Sequence, residues 1–175
     1  MSDADHRRYA IRLEKQAFTF CSAHFITYSG DVCEPLHGHN YRAWIEADGP
    51  LDENRYVLDF VATRDALAAI TAGLDHRVLL PTGHPMIRVQ RARGPGGGDE
   101  VVATFRERRW VFPADECVLL PIANTTAELL AEWIGGRLLE TLAERGAPTP
   151  DSLLVGVDEC DGQVGLCRLG GSSEA

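Results

Sequence analysis

Three histidines are spaced so that they could bind one metal ion. His37 and His39 flank Gly38 at the start of a predicted strand, and residues two apart on a strand face the same side. His24 lies near the end of the preceding predicted strand, and hairpin pairing would bring it opposite that pair. Three imidazoles leave one position of a tetrahedral zinc ion open, as in catalytic sites. The alternative is a buried core histidine at position 24 and two turn histidines.

A cysteine and an Asp-His pair could move protons at such a site. Cys33 lies four positions before His37, and its thiol, ordinarily with a pKa near 8.5, could serve as a base beside a metal. Asp75 and His76 follow a predicted helix, where the carboxylate could fix the imidazole tautomer. The alternatives are a small buried residue for Cys33 and a helix-terminal cap for the pair.

Two further groups have a binding and a structural interpretation. Glu159 follows the last long predicted strand, where its carboxylate could accept two N–H bonds from a guanidine-like heterocycle, or could simply be a surface group. Thr125 and Glu128 have capping-box spacing, which favours a helix start over ligand binding. The arginines of residues 88–109 could form an anion patch, but a solvated face is slightly favoured.

Composition restricts the class of protein. The 175 residues, 45% of them apolar and 25% charged, fit a single globular domain over residues 1–175. A formal net charge of −9 disfavours a general nucleic-acid surface. No apolar run approaches the ~20 residues of a membrane helix, and the five cysteines form no Cys-x2-Cys pair. We therefore predict a cytoplasmic protein with reduced thiols, with neither nucleic acid nor membrane as a partner.

The elements that would position these residues form an α+β pattern. Alternating residues predict a first strand over 9–25, bent near Gln16 and Ala17, a loop over 27–36 and a second strand over 38–47. Asp59 is expected to cap one helix, and Thr125 a second that ends at Gly146. Residues 152–157 and 164–169 are expected to pair, and the intervening segment 81–117 to contribute two or three strands around a glycine-rich turn.

Six motifs in their order resemble one known family. They are CSAHF (21–25), CEPLHGHNY (33–41), LDF (58–60), LDH (74–76), NTTAELL (124–130) and VDE (157–159). Together they are similar to the 6-pyruvoyl-tetrahydropterin synthase and QueD family. The resemblance implies a T-fold (tunnelling fold), with an antiparallel sheet and two helices on one face. Residues 81–117 would then be an atypical β-rich insertion.

By this resemblance, the site residues take specific roles. His24, His37 and His39 would bind Zn²⁺, while Cys33, Asp75 and His76 would form the catalytic proton-transfer set. Glu159 would anchor a pterin ring, helped by Thr125 and Thr126. The family also implies a homo-oligomer, with a hexamer as a candidate size, whose active sites lie between subunits.

The short spacing from Cys33 to His37 favours the QueD branch. The implied activity is that of a zinc-dependent lyase, 6-carboxy-5,6,7,8-tetrahydropterin synthase, in queuosine and 7-deazapurine biosynthesis. It would convert 7,8-dihydroneopterin triphosphate with release of acetaldehyde and triphosphate. The alternatives are a 6-pyruvoyl-tetrahydropterin synthase, a related pterin side-chain lyase releasing glycolaldehyde, and a non-catalytic pterin- or zinc-binding paralogue. The insertion, Leu80 and Cys160 depart from the family pattern and bear on the substrate more than on the fold.

Overall fold

Two long antiparallel strands carry the three histidines. The computed structural model describes residues 8–171, in which strand β1 spans Tyr9–His24 and strand β4 spans His37–Gly49. Their register places His24 opposite His37 and Ser22 opposite His39. The register shifts between Glu14 and Thr19, which confirms the irregularity predicted near Gln16 and Ala17. The hairpin therefore brings the three imidazoles to one end of the strand pair, as the spacing predicted.

The main sheet has six strands in the order β11-β10-β4-β1-β5-β9. The four added strands are β5 (Arg77–Pro81), β9 (Cys117–Leu120), β10 (Ser152–Cys160) and β11 (Gln163–Gly170). The pairing of β10 with β11 confirms the predicted C-terminal hairpin. The predicted antiparallel pairing is confirmed for β1, β4, β10 and β11, whereas β5 runs parallel to both β1 and β9. Parallel neighbours need a crossover connection, and α1 and the segment after β5 provide the two crossovers.

Both helices cover one face of this sheet. Helix α1 spans Phe60–Leu74, and the Asp59 carboxylate caps it by accepting hydrogen bonds from two backbone amides, as predicted. Helix α2 spans Ala127–Glu144 and is followed by Gly146 with a φ of +75°, which confirms the predicted stop. The main core lies between the helices and the sheet, where its fully buried members include Ile45, Leu67, Leu130, Ile134, Leu138 and Val155.

The predicted N-cap of α2 was wrong by one residue. Thr126, and not Thr125, caps the helix by accepting a hydrogen bond from the Leu129 amide. Thr125 is fully buried, and its hydroxyl donates to the carbonyl of Phe25. Because the Thr125 hydroxyl is engaged in this tertiary hydrogen bond, the neighbouring Thr126 caps the helix instead.

Two small sheets complete the fold. Strands β2 (Thr27–Tyr28) and β3 (Val32–Cys33) form a short hairpin inside the segment predicted as a loop. Strands β6 (Arg88–Arg93), β7 (Asp99–Phe105) and β8 (Arg108–Pro113) form a three-stranded antiparallel sheet within residues 81–117. We call this the insertion sheet. A second apolar core joins it to the rest of the chain through Phe25, Cys33, Leu80, Ile87, Val101, Ala103 and Phe105.

Neither helix of the described chain is long and apolar enough to cross a membrane.

Candidate metal centre and active site

The three histidines meet at the end of the β1–β4 hairpin. One nitrogen from each of His24, His37 and His39 lies within 4.8 Å of the other two. The Nε2 atoms of His24 and His37 are 3.2 Å apart. His24 is only 1% exposed, whereas His37 and His39 are partly exposed. The cluster therefore has one buried side and one side open to solvent.

The hydrogen bonds of two of the rings fix where their lone pairs point. His24 donates from Nδ1 to the Thr125 carbonyl and His37 donates from Nδ1 to the Pro35 carbonyl, both at 2.9 Å. A carbonyl oxygen only accepts, so a neutral ring must carry its proton on Nδ1 and a lone pair on Nε2. Both Nε2 lone pairs thus face each other across 3.2 Å. This arrangement suits a bound cation.

The spacing and chemistry of this donor set fit zinc. Imidazole nitrogens on a tetrahedral zinc ion, each about 2.0–2.1 Å from the metal, lie about 3.3–3.4 Å apart. The His24–His37 distance of 3.2 Å is close to that value. Neutral imidazole suits zinc better than it suits magnesium or calcium, which prefer oxygen. Backbone carbonyls that orient ligand histidines are also typical of protein metal sites.

The environment of His24 keeps its ring neutral. Burial lowers the pKa of His24 to about 4, and the neighbouring rings of His37 and His39 act in the same direction. The Thr125 carbonyl opposes this effect only in part. A ligand imidazole must be unprotonated, so His24 is prepared for a metal at neutral pH.

Two carboxylates lie beside the cluster. Glu159 places Oε1 3.2 Å from Nε2 of His24 and accepts a hydrogen bond from the Tyr41 hydroxyl at 3.3 Å. Burial, followed by the charge of Glu159, raises the pKa of Tyr41, so this hydroxyl remains a donor. Glu34 places Oε2 3.7 Å from Nε2 of His37. Sequence reasoning named Glu159 and missed Glu34, although the position of Glu34 three residues before His37 was an available signal.

Cys33 lies apart from the histidines. Its side chain is 6% exposed and belongs to the second apolar core. Burial raises the pKa of its thiol, and the nearby guanidinium of Arg108 opposes that rise. In this arrangement, the thiol is protonated at neutral pH and donates to the Glu34 carbonyl at 3.5 Å.

Asp75 and His76 form a hydrogen-bonded pair at the C-terminal end of α1. One oxygen of Asp75 accepts from the Cys21 amide at 2.7 Å, and the other lies 2.9 Å from Nδ1 of His76. The Cys21 hydrogen bond and then that of His76 lower the pKa of Asp75. The His76 side chain is 82% exposed. No hydrogen bond or ion pair within residues 8–171 joins this pair to Cys33 or to the three histidines.

Thr125 and Thr126 lie where the start of α2 approaches β1. Thr125 contacts the site through its backbone, because its carbonyl accepts the Nδ1 proton of His24 while its hydroxyl binds Phe25. Thr126 uses its hydroxyl oxygen to cap α2. The structure thus brings the three histidines, Glu159 and Thr125 together, and leaves Cys33, Asp75 and His76 outside that cluster.

The fold and site together define a class of protein. Two helices on one face of a sheet, with a three-histidine cluster at the end of its central hairpin, describe a T-fold protein that could bind a metal. The sequence profile of the 6-pyruvoyl tetrahydropterin synthase family matches residues 12–164. The chain belongs to this family of pterin synthases.

Individual relatives agree with this assignment. A Pyrococcus horikoshii protein, provisionally named 6-carboxy-5,6,7,8-tetrahydropterin synthase, is 33% identical over 122 residues, or 69% of each chain. A Methanocaldococcus jannaschii protein of the same provisional name is 27% identical over 85% of this chain and 87% of its own. The crystal structure of 6-pyruvoyl tetrahydropterin synthase from Plasmodium vivax superimposes with a TM-score of 0.80 at 26% identity, covering 94% of this chain and 99% of that one.

Proposed function

We propose that this protein is a zinc-dependent 6-carboxy-5,6,7,8-tetrahydropterin synthase. Its substrate would be 7,8-dihydroneopterin triphosphate, and it would release acetaldehyde and triphosphate in the cytoplasmic synthesis of queuosine and other 7-deazapurines. The observation that carries the proposal is the cluster of His24, His37 and His39, which has one open side and two fixed tautomers. The names of the archaeal relatives support this choice of product.

The three imidazoles would hold the zinc ion. A bound zinc would polarise the side-chain oxygens of the substrate and so acidify the neighbouring C–H bond. The protein contributes a preorganised donor set, because Thr125 and Pro35 fix two of the rings before any metal binds. Fixed donors need little reorganisation when charge develops on the substrate.

Rearranging the substrate side chain requires a proton to leave one carbon and another to be delivered, so two kinds of group are needed. We assign the first step to Glu34, whose carboxylate lies beside the open side of the cluster. A glutamate is described as a catalytic residue in the Plasmodium vivax synthase, which supports such a role. Cys33, Asp75 and His76 complete the proposed proton-transfer set, as the family resemblance implies.

The exposure of Asp75 and His76 supports a site shared between subunits. The pair has its geometry fixed by Cys21 but presents the ring of His76 to solvent. In a homo-oligomer such as a hexamer, it would reach the site of a neighbouring copy. This placement would explain why a preorganised pair lies apart from the cluster in a single chain.

The pterin ring would bind at Glu159. Its carboxylate can accept two N–H bonds from the guanidine-like edge of a pterin. Tyr41 holds one of the carboxylate oxygens, which reduces the number of orientations available before binding. Thr125 and Thr126 would contribute from the start of α2, with backbone groups at Thr125 because its hydroxyl already binds Phe25.

The Glu34 carboxylate also favours a second candidate product. A base beside His37, in a chain similar to a 6-pyruvoyl tetrahydropterin synthase, is compatible with a 6-pyruvoyl product or with side-chain cleavage that releases glycolaldehyde. These reactions share the substrate and differ in which bonds of its side chain break.

Product analysis separates the candidates. Zinc-loaded protein is incubated anaerobically with 7,8-dihydroneopterin triphosphate, and pterins and aldehydes are followed by mass spectrometry. We expect 6-carboxytetrahydropterin together with acetaldehyde. Glycolaldehyde or a 6-pyruvoyl product would select the second candidate, and unchanged substrate would refute both and favour a non-catalytic paralogue.

Two variants assign the proton transfers. We expect Glu34→Gln to lower kcat by about 10²–10⁴-fold while zinc content is retained, because the amide has a similar shape but cannot act as a base. Cys33→Ala should also retain zinc and lose turnover. Full activity in Cys33→Ala would remove Cys33 from the mechanism, and full activity in Glu34→Gln would remove Glu34.

A further inference from the structure

We propose that Arg108 of the insertion sheet is a positioning residue that determines which of two neighbouring side chains, Cys33 or Glu34, faces the histidines. Its effect on turnover rests on the proposed function, whereas its effect on the accessibility of Cys33 does not. The insertion sheet would then be part of the active-site architecture.

Arg108 binds two successive backbone carbonyls. Its Nη1 donates to the Cys33 carbonyl at 2.7 Å and to the Glu34 carbonyl at 3.2 Å. Side chains of successive residues in an extended segment face opposite sides, so fixing both peptide groups fixes both side chains. The thiol of Cys33 accordingly lies in the second core, and the Glu34 carboxylate lies 3.7 Å from Nε2 of His37.

Other side chains of the insertion sheet contact residues close to Cys33 and to His24. Arg106 forms an ion pair with Asp31 at 3.0 Å, in the turn between β2 and β3. Trp110 stacks on Phe25, the residue after His24, with ring centroids 4.4 Å apart. The sheet is thus anchored both to the hairpin that ends at Cys33 and to the strand that ends at His24.

A buried histidine adds a third anchor. Nε2 of His84 lies 2.7 Å from the Thr27 hydroxyl, and Nδ1 accepts from the amides of Met86 and Ile87. Thr27 pairs with Cys33 across the small hairpin, and Asn124 binds the backbone of Thr27. The β2–β3 hairpin is therefore held from several directions. Beyond it, the Glu34 amide donates to the Ile26 carbonyl at 3.0 Å and the Cys33 thiol donates to the Glu34 carbonyl at 3.5 Å. Arg108 adds the contact from the insertion sheet to the carbonyls of both Cys33 and Glu34.

Arg109 provides a matched control. It is the next residue on β8, so its side chain faces the opposite side of the insertion sheet, and it is exposed. Its side chain makes no hydrogen bond or ion pair within residues 8–171. Arg108→Ala and Arg109→Ala remove the same charge and the same number of atoms from one strand, but only the first removes hydrogen bonds to the Cys33–Glu34 segment.

An open pocket is lined in part by Cys33. A space of about 430 Å³ is lined by residues that include Cys33, Phe105, Arg106 and Arg108. Removing the Arg108 side chain would widen this space and free the backbone beside it. The thiol should then become accessible to small reagents.

The experiment measures alkylation of Cys33 by iodoacetamide in the zinc-loaded full-length protein, resolved by peptide mass spectrometry because the chain has five cysteines. We expect Arg108→Ala to raise the Cys33 rate by about tenfold or more, as the loss of a charge-assisted hydrogen bond implies. Arg109→Ala should stay within about twofold of the wild type. Arg108→Lys should lie between them, because a single ammonium group can still reach these carbonyls.

Turnover provides the second measurement. In Arg108→Ala, kcat should fall by about tenfold or more with KM within about twofold and with zinc content unchanged; Arg108→Lys should recover part of kcat. Equal Cys33 rates and equal kcat in Arg108→Ala and Arg109→Ala would overturn the proposal. Loss of zinc together with activity would also overturn it, because Arg108 would then support the metal site itself. If the wild type does not convert the pterin but the Cys33 rates differ as expected, the proposed function fails and the role of Arg108 stands.

Discussion

His24 gives a quantitative prediction for the metal-free protein. Its pKa is lowered from 6.5 to about 4 by burial. The unfolded chain therefore binds a proton at this residue below about pH 6.5, whereas the folded chain does not bind it until about pH 4. The free energy of unfolding must therefore fall as the pH is lowered through this window, because the unfolded state binds more protons there than the folded state does.

The size of the effect follows from the two pKa values. Protonation of His24 stabilises each state by RT times the logarithm of 1 + 10^(pKa − pH). At pH 5 this factor is about 33 for the unfolded state and about 1.1 for the folded state, so the free energy of unfolding falls by about 2 kcal/mol. At pH 7 the corresponding loss is only about 0.2 kcal/mol. Lowering the pH from 7 to 5 should thus cost the metal-free protein about 2 kcal/mol through His24 alone.

The control variant is His24→Asn. The amide nitrogen of asparagine can replace Nδ1 as the donor to the Thr125 carbonyl, but it does not titrate. Urea unfolding is measured for both proteins at pH 7 and pH 5 in the presence of a chelator. The free energy of unfolding should fall by about 2 kcal/mol more in the wild type. Equal falls in the two proteins would show that His24 is not held neutral by its surroundings.

Three further predictions concern α2 and the site. Gly135→Ala should lower the free energy of unfolding by about 1–3 kcal/mol in urea titrations, since its Cβ would lie 2.6 Å from Leu169. Gly136→Ala has open space at the same helix and should instead stabilise by about 0.5–1 kcal/mol; equal signs would contradict the packing. Thr126→Ala should cost about 0.5–2 kcal/mol in the same assay and Thr126→Ser very little, whereas equal losses would exclude the hydroxyl cap. Tyr41→Phe should raise KM about 3–10-fold through a less ordered Glu159, and an unchanged KM would separate this hydroxyl from substrate binding.

The features that local chemistry determines were predictable from the sequence. The alternation of a strand put His37 and His39 on one side, and the structure confirms this placement together with that of His24. The Asp59 cap and the Gly146 stop depend on residues within one helical turn and were also correct. These predictions needed no knowledge of distant contacts.

The features that depend on distant partners were not predictable in the same way. The orientation of Glu34 is linked to Arg108, 74 residues further along the chain. Strands β5 and β9 have only five and four residues, so each gives a short sequence pattern. They pair in parallel, so no hairpin turn joins them that could have predicted the pairing. The cap of α2 moved from Thr125 to Thr126 because Thr125 binds the carbonyl of Phe25, 100 residues away in sequence.

The metal content of the wild type and of His37→Ala tests the central claim most directly. Purified proteins are equilibrated with zinc, dialysed, and analysed by inductively coupled plasma mass spectrometry, with turnover followed on the same samples. The proposed site predicts one zinc per chain and pterin conversion in the wild type, and neither in His37→Ala. A fully metallated and active His37→Ala protein would contradict the assignment of the three histidines as the catalytic metal site.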